Sequence, residues 1–343
     1  NQLTSNFSQL GQQASQVGIV VYGVVLISAG DLTMGSLIAC VILSGRTLAP
    51  MGQLTGLLGR LNQSLTSYNN LNELMQEPVR ENKRQEQIRR PVLTGDIDFQ
   101  NACFRYPEQK KDTLTNINVS IKAGEKVAIL GRIGSGKTSL LRLLAGIYEP
   151  TSGSVQIDHT EVNHLHPEDL RKGLGVVMQA PMLFSGTVKE NLLLGNPNAT
   201  DDEIVACAEQ SGAAGFISQL PDGYETILTE RGQQLSGGQR QALSIARALV
   251  SNPAVIVMDE PTSAMDNATE QELVLRLKAS LAHKTVILIT HRGSLLSLVD
   301  RVVIIDSGRI MADGPKEQVL NKLASKQVAE WIRMAQWIKS FIQ

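Results

Sequence analysis

Gly131-Arg132-Ile133-Gly134-Ser135-Gly136-Lys137-Thr138 follows the apolar run KVAIL and leads into SLLRLLAG, whose spacing is helical. Between a strand and a helix, GxxxxGK[ST] builds a phosphate cradle. Glycines bring backbone N–H groups around phosphate oxygens and the helix N-terminus adds positive potential. Lys137 reaches outer phosphates, and Thr138 offers its hydroxyl to Mg²⁺. A second element supplies carboxylates: Val255-Ile256-Val257-Met258 runs into Asp259-Glu260 at what reads as the C-terminal end of a strand. Open α/β sheets place ligands there. Asp259 would join a Mg²⁺ shell, while Glu260, pointing differently, would serve as general base or water-orienting group for attack on a γ-phosphate.

These groups need a sheet to hold them. From Gly95 onward, short β-branched runs (VAIL at 127–130, AVIVMD at 254–259, TVILIT at 285–290, VVIID at 302–306) alternate with helical segments, which predicts an α/β fold. Residues 1–77 are different, with Asp31, Arg46, Arg60, Glu73 and Glu77 as their only charges. The segment 14–29 is uncharged and rich in Val and Ile, Gly30 to Thr33 form a turn, and 34–58 is again nearly uncharged. This predicts a hairpin of membrane helices at about 14–30 and 34–54, continuing helically past Pro50 to about Met75. A buried hairpin of a soluble domain is the competing reading. The positions of Arg46, Arg60 and Asp31 put the turn outside and both ends in the cytoplasm. Arg46, roughly 20 Å along its helix from the turn, would line a wet path or snorkel to the inner interface. Residues 78–94, charged and bounded by prolines, read as a linker, leaving 95–325 as the catalytic domain. In the tail, 326–343, Trp331, Met334 or Ala335, Ile338 and Phe341 or Ile342 share one helical face.

Composition narrows the classes. A 343-residue chain with 42% hydrophobic residues has room for two domains and is not chiefly disordered. With 32 basic against 33 acidic residues, no bulk field calls for nucleic acid. Cys40, Cys103 and Cys207 form no CxxC pair, which suits a reducing compartment. The start at Asn1, with no basic n-region or cleavage site, reads as part of something longer. His159, His164, His166 and His283 are expected at the surface, since HxxxxHxH lacks metal-site pairing.

Leu235-Ser236-Gly237-Gly238-Gln239, preceding the Asp259-Glu260 pair, resembles the signature motif of the ATP-binding cassette family. The resemblance implies a P-loop NTPase fold with a RecA-like core and a helical subdomain. It also implies that Ser236, Gly237, Gly238 and Gln239 clamp the γ-phosphate of ATP held by a second copy's P-loop, so that a homodimer sandwiches two ATP and Mg²⁺. By the same resemblance, Tyr106 in CFRYP stacks on adenine, and Ser139 continues the P-loop. Gln179 is the Q-loop residue touching Mg²⁺ or water, Asp266 belongs to the D-loop Ser263-Ala264-Met265-Asp266, and His291 is the switch histidine. Thr229-Glu230-Arg231-Gly232 resembles the segment through which exporters couple to their membrane helices.

The element order resembles the end of an exporter half-transporter, with the rest of the transmembrane domain lying outside these residues. Phrases such as VVMQAPMLFSGTVKENL and ILITHRGSLLSLVDRVVIIDSGRIMADGP resemble bacterial type I secretion permease/ATPases. That would imply an inner-membrane protein exporting unfolded cargo through a periplasmic adaptor and an outer-membrane channel. A lipid or drug exporter and a soluble, non-transport ABC ATPase are the alternatives.

Overall fold

The structure, a computed structural model, describes residues 2–76, 87–107 and 109–324. The expectations for 78–86 and for the amphipathic tail lie outside the described residues. The chain divides into two units, Asn1–Lys83 and Arg84–Gln343.

The first unit is a pair of helices, α1 (Gln2–Ser28) and α2 (Met34–Gln76), joined by the expected turn. Gly23 lets Leu37 approach so closely that a methyl at Gly23 would sit 2.3 Å from Leu37 Cδ1. Small residues allow this kind of helix contact. Large apolar side chains, among them Val17, Val21, Tyr22 and Val25, remain exposed. Leu10–Ser28 is long and apolar enough to cross a membrane by length and composition. In α2 the apolar stretch is Met34–Thr47, which is shorter. Among the described residues, α1 is the helix that passes that test. Helix α2 carries on through Pro50, and Arg46 is exposed on it.

The second unit opens with β1 (Ile97–Phe104), β2 (Leu114–Ile121), β3 (Lys126–Leu130), α3 (Lys137–Leu144), β4 (Ser152–Ile157), β5 (Thr160–Glu161), α4 (Pro167–Gly173) and β6 (Leu174–Val177). Next come β7 (Gly186–Thr187), α5 (Val188–Leu193), α6 (Asp201–Gln210), α7 (Ala214–Ile217), β8 (Ile227–Leu228) and α8 (Gly237–Val250). The chain then forms β9 (Val255–Asp259), α9 (Asn267–Ser280), β10 (Thr285–Ile289), β11 (Arg301–Asp306), β12 (Arg309–Pro315) and α10 (Lys316–Ala324). A six-stranded sheet has the order β12-β11-β3-β10-β9-β6, parallel except for the β11–β12 hairpin. A four-stranded antiparallel sheet has the order β2-β1-β4-β5 and is interleaved with it in the sequence, β3 falling between β2 and β4.

The apolar runs read from the sequence are the central strands, and period-two alternation divides them between two cores. Ala128, Leu130, Ile256, Met258, Val286 and Leu288 pack with the helices of 188–250. Val127, Ile129, Val255, Val257, Ile287 and Ile289 pack with α3 and the antiparallel sheet. A parallel sheet covered on both faces requires such unbroken hydrophobic runs.

The second half of the expected linker belongs to this unit. Leu93 is buried, and the carboxylate of buried Asp158 accepts hydrogen bonds from Thr94 N (2.7 Å), Thr94 Oγ1 (2.5 Å), Gly95 N (3.0 Å) and Asp96 N (3.0 Å). Burial alone would raise the Asp158 pKa; the donors of Thr94, Asp96 and Gly95 outweigh it and hold the carboxyl below the ordinary range. Asp158→Ala is expected to cost about 3 kcal/mol of unfolding free energy, since it strands buried donors. For a lowered carboxyl, the stabilisation is present above the unfolded pKa and is lost as pH falls through the folded one. Melts of both chains across acidic pH check this, with the difference between them shrinking on acidification.

One histidine departs from expectation. His166 is buried and caps α4, its Nδ1 accepting from Glu168 N at 3.3 Å, so it serves the fold rather than the surface. His159, His164 and His283 are exposed.

Candidate active site

Helix α3 begins at the C-terminal edge of β3, and its N-cap, Gly136, has φ +103° with no side-chain cap. Any side chain there would be strained and would meet Leu114 Cδ2 at 2.6 Å, so glycine is required and the first N–H groups of α3 stay free for a ligand. Buried Ser135 keeps an unpartnered Oγ in the same loop. Lys137 folds back over the loop, its Nζ donating to Gly131 O (2.7 Å) and Arg132 O (2.8 Å). Burial pushes the Lys137 pKa down, against the opposing pull of Glu260 and Asp259. Ile133 stands out from the loop, 91% exposed.

Two strands deliver the remaining groups. At the end of β9, Asp259 Oδ2 accepts from Thr138 Oγ1 at 2.8 Å. Burial pushes the Asp259 carboxyl up, and the Thr138 hydroxyl works the other way. Glu260 follows in the left-handed region (φ 49°). Its N–H donates to Ile289 O (2.8 Å) at the end of β10. Just beyond β10, His291 Nε2 lies 2.9 Å from Glu260 Oε1 and His291 N donates to Glu260 Oε2 at 3.3 Å. Neighbouring parallel strands β3, β10 and β9 thus bring Lys137, Thr138, Asp259, Glu260 and His291 to one edge of the sheet.

A cleft of about 510 Å³ opens over the loop, lined by Gly134 to Ser139, Tyr106, Thr113 and the β11–β12 turn at Ser307-Gly308. The Tyr106 hydroxyl pairs with Ser139 Oγ (2.9 Å) and accepts from Arg142 (3.0 Å), and its ring packs edge-on against Phe104 and Tyr148. An unpartnered hydroxyl, uncapped helix N–H groups and a desolvated ammonium suit an anionic phosphate chain. The adjacent Thr138 and Asp259 oxygens suit a hard cation that keeps phosphate and water as further ligands.

Residues 114–263 match the family model described as ABC transporter. The chain carries an ABC transporter domain. As such it is a nucleotide-binding unit with the P-loop and the Asp259-Glu260 strand inside the match. The leukotoxin translocation ATP-binding protein LktB of Mannheimia glucosida is 37% identical over 320 residues, covering 92% of this chain and 45% of that protein. Proteins of the same name from Mannheimia haemolytica and Bibersteinia trehalosi match equally. The chain therefore spans about half the length of these curated relatives. A bacterial Atm1-family ABC exporter, solved with ATP bound, superposes with TM-score 0.68 at 31% identity, over 93% of this chain and 56% of that one.

Other sequence-predicted residues of the ABC transporter domain lie apart from this cluster. Ser236 caps α8, its Oγ accepting from Gln239 N (3.2 Å) while Gln239 Oε1 accepts from Ser236 N (2.9 Å). Gly237 and Gly238 lie against Ala264 and Met265, so signature and D-loop are neighbours. Asp266 caps α9 through Thr269 N (2.9 Å), and hydrogen bonds from Thr269 hold its carboxyl below the ordinary range. Gln179 is exposed and is not brought to Thr138 or Asp259 by any contact in the structure. In the 229–232 segment, Arg231 is left-handed and Gln234 Oε1 accepts from Thr229 N at 3.0 Å.

Two groups escaped the sequence reading. Buried Glu270 on α9 accepts from Arg292 (2.6 Å) and Ser294 Oγ, tying down the residue after His291. Gln241 is buried at 1% exposure on α8. Its one signal was a polar side chain on the helix face it shares with Ile245 and Ala248.

Proposed function

We propose that this chain is the ATP-hydrolysing part of an exporter subunit in a bacterial inner membrane, with the cassette in the cytoplasm and protein as cargo. The cluster Lys137, Thr138, Asp259, Glu260 and His291 at one sheet edge carries the reading. In it, Gly131 to Ser139 enclose the phosphates, Lys137 neutralises the outer ones, Tyr106 borders the base, and Thr138 and Asp259 would hold Mg²⁺. Bound Mg²⁺ would supply positive charge against the β- and γ-phosphate oxygens. Water attacks the γ-phosphorus, the bond to the bridging oxygen of ADP breaks, and the proton of the attacking water passes to Glu260. His291, held by Glu260, faces the γ-phosphate side.

The second half of each site comes from a second copy. Ser236, Gly237 and Gly238 at the N-terminus of α8 do not line the P-loop cleft of their own chain, which supports their serving a partner's nucleotide. Closure and release of two cassettes would then move α1, α2 and the rest of the transmembrane domain. The name of the leukotoxin translocation relatives, with 92% of this chain aligned, supports protein cargo and, with it, a periplasmic adaptor and an outer-membrane channel.

The test is the purified full chain in detergent with Mg²⁺ and ATP. ATP-dependent pairing, phosphate release and loss of both on chelating Mg²⁺ are expected. A chain that neither pairs nor releases phosphate overturns the reading, and recovery of the whole chain in the soluble fraction without detergent favours the non-transport ABC ATPase.

A further inference from the structure

Glu260 pays for its position: a non-glycine residue at φ 49° persists only where surrounding groups hold it. Its N–H is held by Ile289 O at the end of β10. Its carbonyl is held by a residue from a different part of the chain, Gln241 on α8, whose Nε2 donates to Glu260 O at 3.2 Å. The same amide reaches along the turn, with Nε2 donating to Ser263 Oγ (2.7 Å) and Oε1 accepting from Ala264 N (3.0 Å). One side chain thus spans the turn 260–264 from its first residue to its last. It does so from the helix that Ser236 caps, slightly more than one helical turn further on.

We propose that Gln241 is a positioning residue for Glu260: its amide fixes the left-handed turn so that the carboxylate faces His291, and it fastens that turn to the signature helix. The inference rests on the role proposed for Glu260 as base. Ordinary core packing would not need an amide here, because an apolar side chain fills space equally well while leaving Glu260 O and Ala264 N without this partner. In a sandwich of two cassettes, the signature and the Glu260 of one chain would serve different nucleotides. Gln241 would then hold those two half-sites in a fixed relation.

The experiment compares Gln241→Ala and Gln241→Glu with the unaltered full chain in detergent, alone and combined with Glu260→Gln. Glutamate keeps an acceptor for Ala264 N but loses both donors and sets a carboxylate against Glu260 O. Each variant is expected to lower kcat ~100-fold, the scale of an ångström misplacement of a reacting group. KM for ATP should stay within about twofold, as it does when an interaction made only in the transition state is lost. On the Glu260→Gln background, adding Gln241→Ala should lower the single-turnover rate no further. An unchanged kcat in a chain with a lower Tm, or equal losses on both backgrounds, overturns the inference alone. Near-normal turnover of Glu260→Gln by itself overturns both the role of Glu260 and this inference. Where Gln241→Ala does not accumulate folded, Gln241→Glu, of matching size, reads the same split.

Discussion

Glu260→Gln is expected to lower steady-state ATP turnover by about 10²–10⁴-fold, the usual contribution of a positioned general base. The substitution nearly conserves volume at a residue that is 8% exposed, so the packing of the site should survive. The backbone bond to Ile289 O is independent of the side chain, and the Gln carbonyl can still accept from His291 N. What disappears is the negative charge and the ability to take the proton of the attacking water. Nucleotide binding, which uses the loop of 131–139, should persist. ATP should therefore hold the cassettes together without being spent, and size-exclusion chromatography with Mg²⁺ and ATP should show an accumulated pair. Phosphate release at near the normal rate would remove Glu260 from the base role.

Lys137→Ala should act a step earlier, at binding. Its ammonium is buried and donates to the carbonyls of Gly131 and Arg132. Phosphate oxygens would replace those carbonyls with charged acceptors, and charge-assisted hydrogen bonds are about twice as strong as neutral ones. Loss of the ammonium is expected to weaken ATP binding by about 10- to 100-fold, equivalent to about 1.4–2.8 kcal/mol. Titration with a fluorescent ATP analogue measures this, and unchanged affinity would remove Lys137 from the phosphate site. The variant also has a pH signature in the absence of ligand. Because burial lowers the Lys137 pKa, the unfolded chain holds that proton more tightly than the folded one. Stability therefore rises as pH increases from the lowered folded value toward the unfolded lysine value, and Lys137→Ala should lack that rise. Melting curves of both chains over alkaline pH give the comparison.

The two expected results separate the parts of the site that were readable from local sequence from those that were not. The phosphate loop was legible because its chemistry is contiguous: glycine, lysine and threonine stand next to one another, and the strand before them and helix after them have opposite periodicities. Asp259-Glu260 and His291 were legible for a related reason, each closing a β-branched run. A buried parallel strand leaves little choice about where polar residues can begin. Capping roles were harder to read. Ser236, Asp266 and His166 satisfy helix N–H groups, which the signature, D-loop and surface readings of those residues did not anticipate.

The sequence by itself determined the α/β class, the glycine-rich loop between strand and helix, the two carboxylates at a strand end and the contrast between a charge-poor N-terminal region and a charged remainder. Those properties are set by residue type and short-range spacing. Tertiary structure alone decided that Gln241 spans the 260–264 turn, that Glu270 anchors Arg292, and that Asp158 ties Thr94, the last residue of the expected linker, into the folded unit. Each joins residues far apart in the chain. The physical reason is that a buried polar group must find its partners wherever the fold brings them, and a one-dimensional pattern does not encode that encounter.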